Sequence, residues 1–565
     1  MGSFSKISNT SSNFRVALIA PPGMHCTSPP LALAVLKSFA AQAVPNCHLR
    51  LFDLNLAHYQ QALSWLVHDR LPLEARGLDV NRFAEAAAQA VAYVSNPWQN
   101  AAGSVDFPYL SHLSAYLDFI DRVNLLFEQV NREYLARASQ PSWVEEYFAE
   151  LIRPVREFAP DLTGVSVLLM RQLWPSLIVG RLLKKTGAKV IFGGATLTAK
   201  PRPQTLLDEF LLVPCGGENR RIKPADCLDA LVIGEGEAAW EQILSAPGGD
   251  PALVPGLIFR NRGAVHTNPP QMIQDLDLLP PPDFSDLPLE EYHSPELVLP
   301  YLSSRGCFWG RCAFCTHHKT YQSYREEGVS RTVANLTQLA QQHGSRHFTF
   351  ADEMLHPKRF LRLGNKIKKS GLEMEYLAYA KPTRGFTKPV MATLADSGLR
   401  VIQWGVESGS QRMLDRMGKG LRIKHVEQVL SAAHEVGIMN MLFLLFGFPG
   451  ETRSEWNETI AMVERNRENI DVVAESLFIL PEGSDVFENP ADYGVTVISQ
   501  RATGIPITMA YDYEVAAGIS QSDARQMITA TRDKLTKYFG RARDLYRLRD
   551  HLLFLSSQSK VSACD

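Results

Sequence analysis

The sequence lacks the features that mark membrane proteins and nucleic-acid-binding proteins. Its 565 residues contain no continuous apolar run of the ~20 residues that a membrane-spanning helix requires. The formal net charge is only −2, which gives no electrostatic reason to expect nucleic acid or an anionic membrane as a partner. Residues 1–13 are rich in Ser and Asn and have no apolar signal core, so they predict a disordered tail. The length predicts several globular domains, since single domains usually have ~100–200 residues.

Cysteine is also scarce. The chain has eight cysteines, which are too few and too dispersed for a disulfide framework. Three of them, Cys307, Cys312 and Cys315, lie together in one segment, residues 304–315, which we call the cysteine loop. The others predict unpaired thiols in a reducing cytoplasm, which is the location that we expect for the protein. These scattered cysteines are Cys26, Cys47, Cys215, Cys227 and Cys564.

The cysteine loop predicts a metal centre. Three thiolates on one loop, with no fourth cysteine nearby, suit a [4Fe–4S] cluster that keeps one iron open. An open iron can chelate a small molecule, so Cys307, Cys312 and Cys315 are predicted to be metal ligands that act catalytically through the cluster. A structural zinc site with His317 or His318 as fourth ligand is the alternative. The cluster is favoured because structural zinc usually takes two separated pairs of ligands, and the second pair is absent.

The second half of the chain predicts a barrel. From about residue 296, short apolar runs alternate with amphipathic segments, which indicates βα units and parallel strands. Six units predict a partial (β/α)6 barrel rather than a closed eight-unit barrel, and the cysteine loop lies at the carboxyl end of its first strand. The predicted strands cover residues 297–304, 347–350, 376–380, 401–406, 439–446 and 472–479.

Residues 14–245 predict a Rossmann-like, doubly wound α/β domain. Its strands alternate with helices and end in small-residue loops, which places a ligand at the carboxyl ends of the strands. Helical patterning from about residue 57 to 159 predicts an insertion whose aromatic side chains are expected to pack in a core. The predicted strands cover residues 14–20, 48–53, 162–170, 189–192 and 230–233. The remaining predicted segments are a linker (246–293), the barrel (294–485) and a helical carboxyl-terminal cap (486–565).

The cysteine loop resembles the signature of the radical SAM superfamily. That signature is Cys-x3-Cys-x2-Cys with an aromatic residue before the last cysteine, the place that Phe314 fills. Here the first spacing is Cys-x4-Cys, and Trp309 and Gly310 are expected to absorb the extra residue. The resemblance implies that the open iron binds the amino and carboxylate groups of S-adenosylmethionine, whose reductive cleavage gives a 5′-deoxyadenosyl radical. The contact residues that it implies for S-adenosylmethionine are Phe314, Asp352, Glu353, Glu407, Ser408, Gly447 and Pro481.

The domain order resembles that of class B radical SAM enzymes, which carry a cobalamin-binding domain before the barrel. Gly193, Gly194 and the run Gly234-Glu-Gly-Glu carry this resemblance. A nucleotide-binding Rossmann module and an empty flavodoxin-like domain are the alternatives, but no G-x-G-x-x-G follows the first strand. The D-x-H-x-x-G motif of many corrinoid proteins is absent, so no lower axial histidine is expected, and His58 is expected to be a surface or packing residue. The implied cobalamin contacts are Pro22, Gly23, Arg171, Gln172, Gly193, Gly194, Ala195, Gly234, Glu235 and Gly236.

The resemblance is strongest to cobalamin-dependent C-methyltransferases of natural products or peptides, through the runs that begin at Arg305, Ile402 and Met417. It implies that one S-adenosylmethionine methylates cobalamin while a second supplies the radical that activates an unactivated carbon. Oxidation, cyclisation or ring rearrangement without methylation is an alternative, and a non-catalytic corrinoid or iron–sulfur sensor is an alternative of another class. The expected partners are a small-molecule or peptide substrate and an external flavodoxin- or ferredoxin-like electron donor, with no nucleic acid and no membrane.

Overall fold

The computed structural model describes residues 14–45, 47–72, 79–95, 107–136, 143–200, 202–215, 218–317, 321–500 and 511–556. The predicted disordered tail therefore lies outside the described residues, as do His318 and Cys564. Backbone proximity divides the chain into two compact units, and the boundary between them falls between His293 and Ser294.

The first unit is built on a seven-stranded sheet of order β2-β1-β3-β4-β7-β8-β9. The first five of these strands are parallel, while β8 and β9 are antiparallel. Strands β1 and β7 are apolar and buried along nearly their whole length, as expected for a parallel sheet covered on both faces. The strands, including the separate hairpin β5–β6, are β1 (Arg15–Ala20), β2 (His48–Asp53), β3 (Leu162–Ser166), β4 (Lys189–Gly193), β5 (Leu211–Cys215), β6 (Glu218–Ile222), β7 (Ala230–Val232), β8 (Leu257–Asn261) and β9 (Ala264–Thr267).

Helices alternate with these strands, which confirms the predicted doubly wound fold. The helices between β2 and β3 form the predicted insertion, and Phe119, Phe127 and Tyr147 are buried in it as core side chains. The helices of this unit are α1 (Leu31–Ala43), α2 (Leu54–Val67), α3 (Val80–Ser95), α4 (Phe107–Ala136), α5 (Trp143–Leu151), α6 (Arg153–Phe158), α7 (Leu173–Lys184), α8 (Ala195–Thr198), α9 (Thr205–Asp208) and α10 (Glu237–Ser245).

The segment from residue 257 to 267 differs from the linker that the sequence predicts. Strand β8 pairs antiparallel with β7, and β9 pairs with β8. The side chains of Leu257, Ile258 and Phe259 are buried, so this short apolar run extends the sheet. The proline-rich signal that predicts a linker belongs to residues 279–283, which follow these strands.

The second unit contains a six-stranded sheet of order β10-β13-β14-β15-β16-β17, in which every neighbouring pair is parallel. This confirms the predicted partial (β/α)6 barrel. A short antiparallel pair, β11–β12, brackets the cysteine loop. The strands are β10 (Val298–Tyr301), β11 (Ser304–Arg305), β12 (Arg325–Glu326), β13 (His347–Phe350), β14 (Glu375–Ala380), β15 (Leu399–Glu407), β16 (Met439–Phe446) and β17 (Val472–Leu477).

Amphipathic helices cover the outer face of this sheet. Phe360, for example, packs against Tyr376 of β14, with ring centroids 6.2 Å apart. None of the helices in the described part of the chain combines the length and the apolar character needed to span a bilayer. The helices are α11 (Val329–His343), α12 (Pro357–Ser370), α13 (Lys388–Asp396), α14 (Gln411–Arg416), α15 (Ile423–His434), α16 (Arg453–Arg465) and α17 (Asp485–Glu488).

The carboxyl-terminal region is only partly the helical cap that the sequence predicts. An antiparallel hairpin of β18 (Val495–Gln500) and β19 (Tyr511–Val515) precedes helix α18 (Gln521–Phe539). The last described segment, Gly540–His551 and α19 (Leu552–Ser556), lies on the inner face of the six-stranded sheet. There Thr349 of β13 donates a hydrogen bond to Asp550 at 2.7 Å, and the ring of His347 contacts that of Phe554. The segment therefore fills part of the half barrel rather than capping it from outside.

Candidate functional site

The cysteine loop follows the first barrel strand, at the carboxyl end of the sheet. Cys307, Cys312 and Cys315 are free and partly exposed. The loop turns at Gly306, whose φ of +82° leaves a Cβ only 2.8 Å from the Ser323 carbonyl oxygen, so only glycine fits there. Burial raises the pKa of Cys312, and that of Cys315 to about 12, so thiolates in this loop require a positive partner.

The donor set fits an iron–sulfur cluster. Within the described residues, no three His, Cys, Asp or Glu side chains are spaced as ligands of one metal ion. In a [4Fe–4S] cluster each thiolate binds a different iron, so its cysteines are farther apart than the ligands of a single ion. Three soft sulfur donors on one loop are the type of ligand that such a cluster takes.

Trp309, within the longer Cys-x4-Cys segment, packs against a turn later in the chain. Its indole nitrogen donates to the Gly418 carbonyl oxygen at 2.8 Å, and its ring approaches Gly420 so closely that a Cβ there would be 2.3 Å away. The Ala313 amide donates to the Met417 carbonyl oxygen at 2.9 Å. The run Met417-Gly-Lys-Gly is therefore a platform on which the cysteine loop rests.

Two buried lysines face the cysteines. The Lys381 ammonium lies 3.2 Å from the centroid of a Trp309 ring, and Lys419 lies 2.8 Å from the Glu407 carboxylate. Burial, with Lys419 nearby, lowers the pKa of Lys381 to about 8. Burial acts to lower the pKa of Lys419 as well, but the Glu407 carboxylate and the Cys312 thiol outweigh it and raise that pKa. Two cations at this position balance an anionic cluster or the carboxylate of a ligand.

Neither lysine is among the residues predicted from the sequence. Lys419 lies between two glycines, Gly418 and Gly420, both with positive φ. A lysine between two such glycines, in a run that resembles the family, is the signal that could have found it. Lys381 has no comparable signal beyond its place directly after β14, because its neighbour Trp309 is distant in the chain.

The end of strand β15 holds a residue in an unusual conformation. Glu407 has a φ of +72°, and the pairing with β16 shifts register between Gly405 and Glu407. A non-glycine residue in the left-handed region costs on the order of 1–3 kcal/mol and is found mainly at functional sites. The conformation places the Glu407 carboxylate on Lys419. Ser408 is buried, and its hydroxyl lies 3.1 Å from that of Thr459 on α16, so it supports this turn from behind.

Inside the half barrel, Gln403 has a buried side chain with no partner. Within the described residues, neither the nitrogen nor the oxygen of its amide has a hydrogen-bond partner. Alternation along β15 places Gln403 on the face of Gly405, where a Cβ would lie 2.8 Å from the Lys419 ammonium. Buried amides are almost always satisfied, so this one indicates a ligand or an ordered water.

The two acidic residues after β13 have different environments. Asp352 is fully buried, and it accepts hydrogen bonds from the amide and hydroxyl of Ser303 and the hydroxyl of Ser304. Its carboxylate therefore joins the start of the cysteine loop to β13. Glu353 is partly exposed and forms an ion pair with His317, whose pKa this hydrogen bond raises. Of the two, Glu353 is the carboxylate available to a ligand.

The remaining predicted contacts lie at later strand ends. Phe314 packs on an apolar cluster that includes Met417, with the Lys419 ammonium 5.8 Å from its ring centroid. Gly447, at a φ of +75°, donates its amide to Glu451 at 2.6 Å. Pro481 is partly exposed two residues beyond Ile479. All three residues lie in loops at the carboxyl ends of barrel strands, as the sequence predicts.

A second candidate site lies at the carboxyl edge of the seven-stranded sheet. We call the loops after β1, β3, β4 and β7 the glycine edge; because these strands are parallel and adjacent, their loops meet there. Pro22 and Gly23 are buried, and the Gly23 and Met24 amides donate to the Asn55 side-chain oxygen at 2.9 and 2.8 Å. In the loop after β3, the side-chain oxygen of Gln172 accepts hydrogen bonds from the backbone amides of Leu168 and Leu169. Its side-chain nitrogen donates to the Pro21 carbonyl oxygen at 2.7 Å.

Glycines leave open backbone in the middle of this edge. Gly194 has a φ of +107°, and a Cβ there would lie 2.5 Å from the Val167 carbonyl oxygen. Gly193 and Ala195 beside it are partly exposed. The Gly234 amide donates to the Thr198 hydroxyl at 3.0 Å, with Gly236 two residues on.

Polar and apolar side chains flank those glycines. The carboxylate of Glu235 is buried and accepts the Ile273 amide, so it holds the β7 loop rather than facing solvent. Arg171 is partly exposed. Leu168 and Leu169 are exposed by 46% and 37%, which provides an apolar surface for a large flat ligand.

His58 is a packing residue. It is buried among Tyr59, Phe127 and Tyr147, and its Nδ1 lies 2.9 Å from the Tyr147 hydroxyl. Burial lowers its pKa to about 3, so the ring is neutral. This agrees with the sequence-based expectation that it is not an axial ligand.

Most of the barrel matches a known protein family. Residues 301–463 match the model of the radical SAM superfamily. The chain contains a radical SAM domain. A curated relative, an uncharacterized methyltransferase of Pyrococcus horikoshii, is 26% identical over 327 residues, which are 56% of this chain and 67% of that protein. The radical SAM domain that the cysteine loop predicts is thereby confirmed for residues 301–463.

Solved structures are similar to both units of the chain. The methyltransferase TsrM from Kitasatospora setae, with tryptophan and a SAM analog bound, gives a TM-score of 0.54 at 16% identity, covering 84% of this chain and 75% of its own. The cobalamin-dependent enzyme OxsB, with aqua-cobalamin and S-adenosylmethionine bound, gives 0.60 at 13% identity, covering 96% and 72%. These similarities show that this chain shares its fold with those two enzymes over most of its length.

Proposed function

We propose that this protein is a cobalamin-dependent radical SAM enzyme that methylates an unactivated carbon of a natural product or peptide. The observation that carries the proposal is the cysteine loop, which ends the first strand of a parallel half barrel and faces two buried lysines. The cofactors that the proposal requires are a [4Fe–4S] cluster, S-adenosylmethionine and cobalamin. TsrM, with cobalamin and a [4Fe–4S] cluster in its solved structure, supports it.

In the radical SAM domain, Cys307, Cys312 and Cys315 would hold the cluster, which when bound supplies the electron that cleaves the sulfonium. The Glu353 and Glu407 carboxylates and the Gln403 amide are polar groups suited to the methionine end of S-adenosylmethionine. Lys419 neutralises Glu407 at 2.8 Å, so the pair can be buried without an unpaired charge. Glycine at position 447 lets the backbone approach the ligand.

In the first unit, the glycine edge would hold the corrin. Gly193, Gly194 and Gly234 expose backbone, while Leu168 and Leu169 offer apolar contact. His58, which is neutral and enclosed by aromatic side chains, would not supply a ligand to the corrin. Cobalamin when bound supplies the methyl-group carrier. The chain's own contribution is to bind, orient and shield the reacting groups, and no side-chain base is required.

The proposal is tested without knowledge of the substrate. Anaerobically reconstituted protein is incubated with S-adenosylmethionine, hydroxocobalamin and photoreduced 5-deazaflavin. We expect 5′-deoxyadenosine, from reductive cleavage, and S-adenosylhomocysteine that appears only when the corrinoid is present. The absence of both products would contradict the function. Formation of 5′-deoxyadenosine without corrinoid-dependent S-adenosylhomocysteine would remove methylation and leave a radical enzyme of another outcome.

A further inference from the structure

Helix α12 carries a run of cations beside the cysteine loop. It contains six lysine and arginine residues and no aspartate or glutamate, although the whole chain has a net charge of −2. Two of its exposed cations have carboxylate partners in the described chain: Arg362 lies 3.3 Å from Glu326, and Lys368 lies 2.7 Å from Asp396. The other exposed cations of the helix are Lys358, Lys366 and Lys369.

The row formed by Lys358, Arg362 and Lys366 does not serve the stability of the helix, whereas Lys368 and Lys369 lie in the last turn, where the helix dipole favours cations. Lys358, Arg362 and Lys366 follow one another at intervals of four residues, and like charges at this spacing destabilise a helix by roughly 0.2–0.5 kcal/mol per pair. Lys358 also lies in the first turn, where the helix dipole disfavours a cation. A row of cations that weakens its own helix points to an anionic partner.

An open pocket of about 440 Å³ lies at the start of this helix. Its lining combines cations with an aromatic cluster that begins at Phe308, the residue directly after Cys307. The Phe308 ring centroid lies 4.9 Å from that of His356 and 6.0 Å from that of Tyr324. The cations in the lining are Lys358, Arg359 and Arg362, with Glu326 as the one carboxylate. These aromatic side chains therefore extend from the pocket to Phe308, which is adjacent in the sequence to Cys307, a predicted ligand of the iron–sulfur cluster.

We propose that α12 and this pocket are the docking surface for a small acidic electron-transfer protein, with reduced flavodoxin as its representative. The inference rests on the proposed function, because it assigns the route by which the [4Fe–4S] cluster is reduced. The donor gives up one electron as its flavin passes from the anionic hydroquinone to the neutral semiquinone, with no proton transferred, and that electron would reduce the cluster from the 2+ to the 1+ level. Phe308 and His356 lie between the docked donor and Cys307.

The charge pattern favours such a partner. Opposite charges on two proteins raise the association rate, by roughly 10- to 1,000-fold when a whole surface contributes, and salt removes the effect. A donor must meet the enzyme, give up an electron and leave, which suits a surface that accelerates association without a large apolar contact. The donor then needs only to come close to the half-exposed aromatic residues that line the pocket.

The test compares two lysines in equivalent positions. Lys358 and Lys424 are both exposed, and each is the second residue of a barrel helix, α12 and α15 respectively. In holoenzyme with its cluster, reduction by reduced flavodoxin is followed by stopped-flow absorbance at low and high salt. We expect Lys358→Glu to slow the second-order rate at low salt by at least about threefold, and the combination with Lys366→Glu and Lys369→Glu to slow it further. Lys424→Glu should leave the rate within experimental error.

Reduction by photoreduced 5-deazaflavin and the resulting yield of 5′-deoxyadenosine serve as the reference. They should be unchanged in all these variants, which shows that cluster and fold are intact. Equal flavodoxin rates for Lys358→Glu and Lys424→Glu, or a wild-type rate that does not fall with salt, would overturn the docking surface. A wild-type protein that forms no 5′-deoxyadenosine with deazaflavin would instead contradict the proposed function.

Discussion

The cysteine loop and the glycine edge are both candidate sites at the carboxyl ends of parallel strands, each in its own sheet, yet they are built from different groups. Around the cysteine loop, thiols, two buried lysines and the strained Glu407 face one another. At the glycine edge, backbone, small residues and exposed leucines predominate, and the polar side chains mainly hold loops in place. The first site is specified by side-chain chemistry and the second by shape.

This contrast follows from what each site would bind. An iron–sulfur cluster and a charged amino acid moiety need soft ligands and balanced charge, because burying an uncompensated charge is costly. A corrin is large and flat, and it can be held by many weak contacts along a backbone that glycine leaves accessible. Substitutions should therefore act sharply at the first site and through steric fit at the second.

The largest effect is expected from the cluster ligands. Cys312→Ala should abolish the broad iron–sulfur absorbance near 400 nm (roughly the region where thiolate–iron charge transfer absorbs) and all formation of 5′-deoxyadenosine. Cys47→Ala, at a half-buried scattered cysteine, is the control and should change neither. A variant lacking Cys312 that keeps a full cluster signal would show that another residue provides the ligand.

The glycine edge should be most sensitive at Gly194. Gly194→Ala would place a Cβ 2.5 Å from the Val167 carbonyl oxygen at a φ of +107°, so the β4 loop must move. We expect the variant to lose most of its bound corrinoid, measured by absorbance after gel filtration, and to keep its iron–sulfur signal. Gly187→Ala is a matched control, since its φ of +93° is also positive but its Cβ would meet nothing within 4 Å. Equal corrinoid retention in both variants would remove this loop from the site.

Charge balance at the cysteine loop can be tested at Lys419. Lys419→Met leaves the Glu407 carboxylate, whose side chain is 13% exposed, without its 2.8 Å partner. This should destabilise the barrel by up to about 3 kcal/mol, the low end for a broken, fully buried pair. The double variant Lys419→Met with Glu407→Gln should recover most of that loss, because no lone charge is left. Chemical denaturation followed by tryptophan fluorescence measures both. No recovery in the double variant would mean that Lys419 acts through other groups.

The sequence could predict the first site better than the second for the same reason. The three cysteines are close together in the sequence and lie on one folded loop, so the sequence could group them as candidate ligands. The parallel strands and their order were also predictable. Lys381 was not predictable, because its contact with Trp309 joins residues distant in the chain. The role of Asp352 also differs from a simple ligand contact, since folding brings Ser303 and Ser304 onto it.

The glycine edge shows what could not be predicted from the sequence. Glycine runs indicated where backbone is exposed, but not which neighbours approach, and Pro22, Gly23 and Glu235 proved to be buried. Strand β8 was missed because three apolar residues in a loop-rich stretch are a weak signal until β7 provides an edge to pair with. The hairpin β18–β19 was also missed, because its pairing joins two segments that are separate in the chain, Val495–Gln500 and Tyr511–Val515.

The pH dependence of stability should also distinguish the two units. Burial raises the pKa of Glu451 in the barrel to about 8, so its ionisation costs stability as pH rises from the unfolded value of 4.5 through 8. Burial lowers the pKa of His58 in the first unit to about 3, so stability is instead lost as pH falls from 6.5 towards 3. Each pKa unit corresponds to about 1.4 kcal/mol at most.

Glu451→Gln keeps the oxygen that accepts the Gly447 amide and removes the charge. Relative to wild type, it should gain stability between pH 5 and about pH 8, and the difference should then level off. Thermal unfolding across that range measures this. His58→Gln provides the opposite case, because removing the ring's protonation should flatten the loss of stability on the acid side. If the stability of both variants changed with pH at the same slope, other buried groups would set the pH dependence. In that event the contrast between the units would lie in their ligand sites alone.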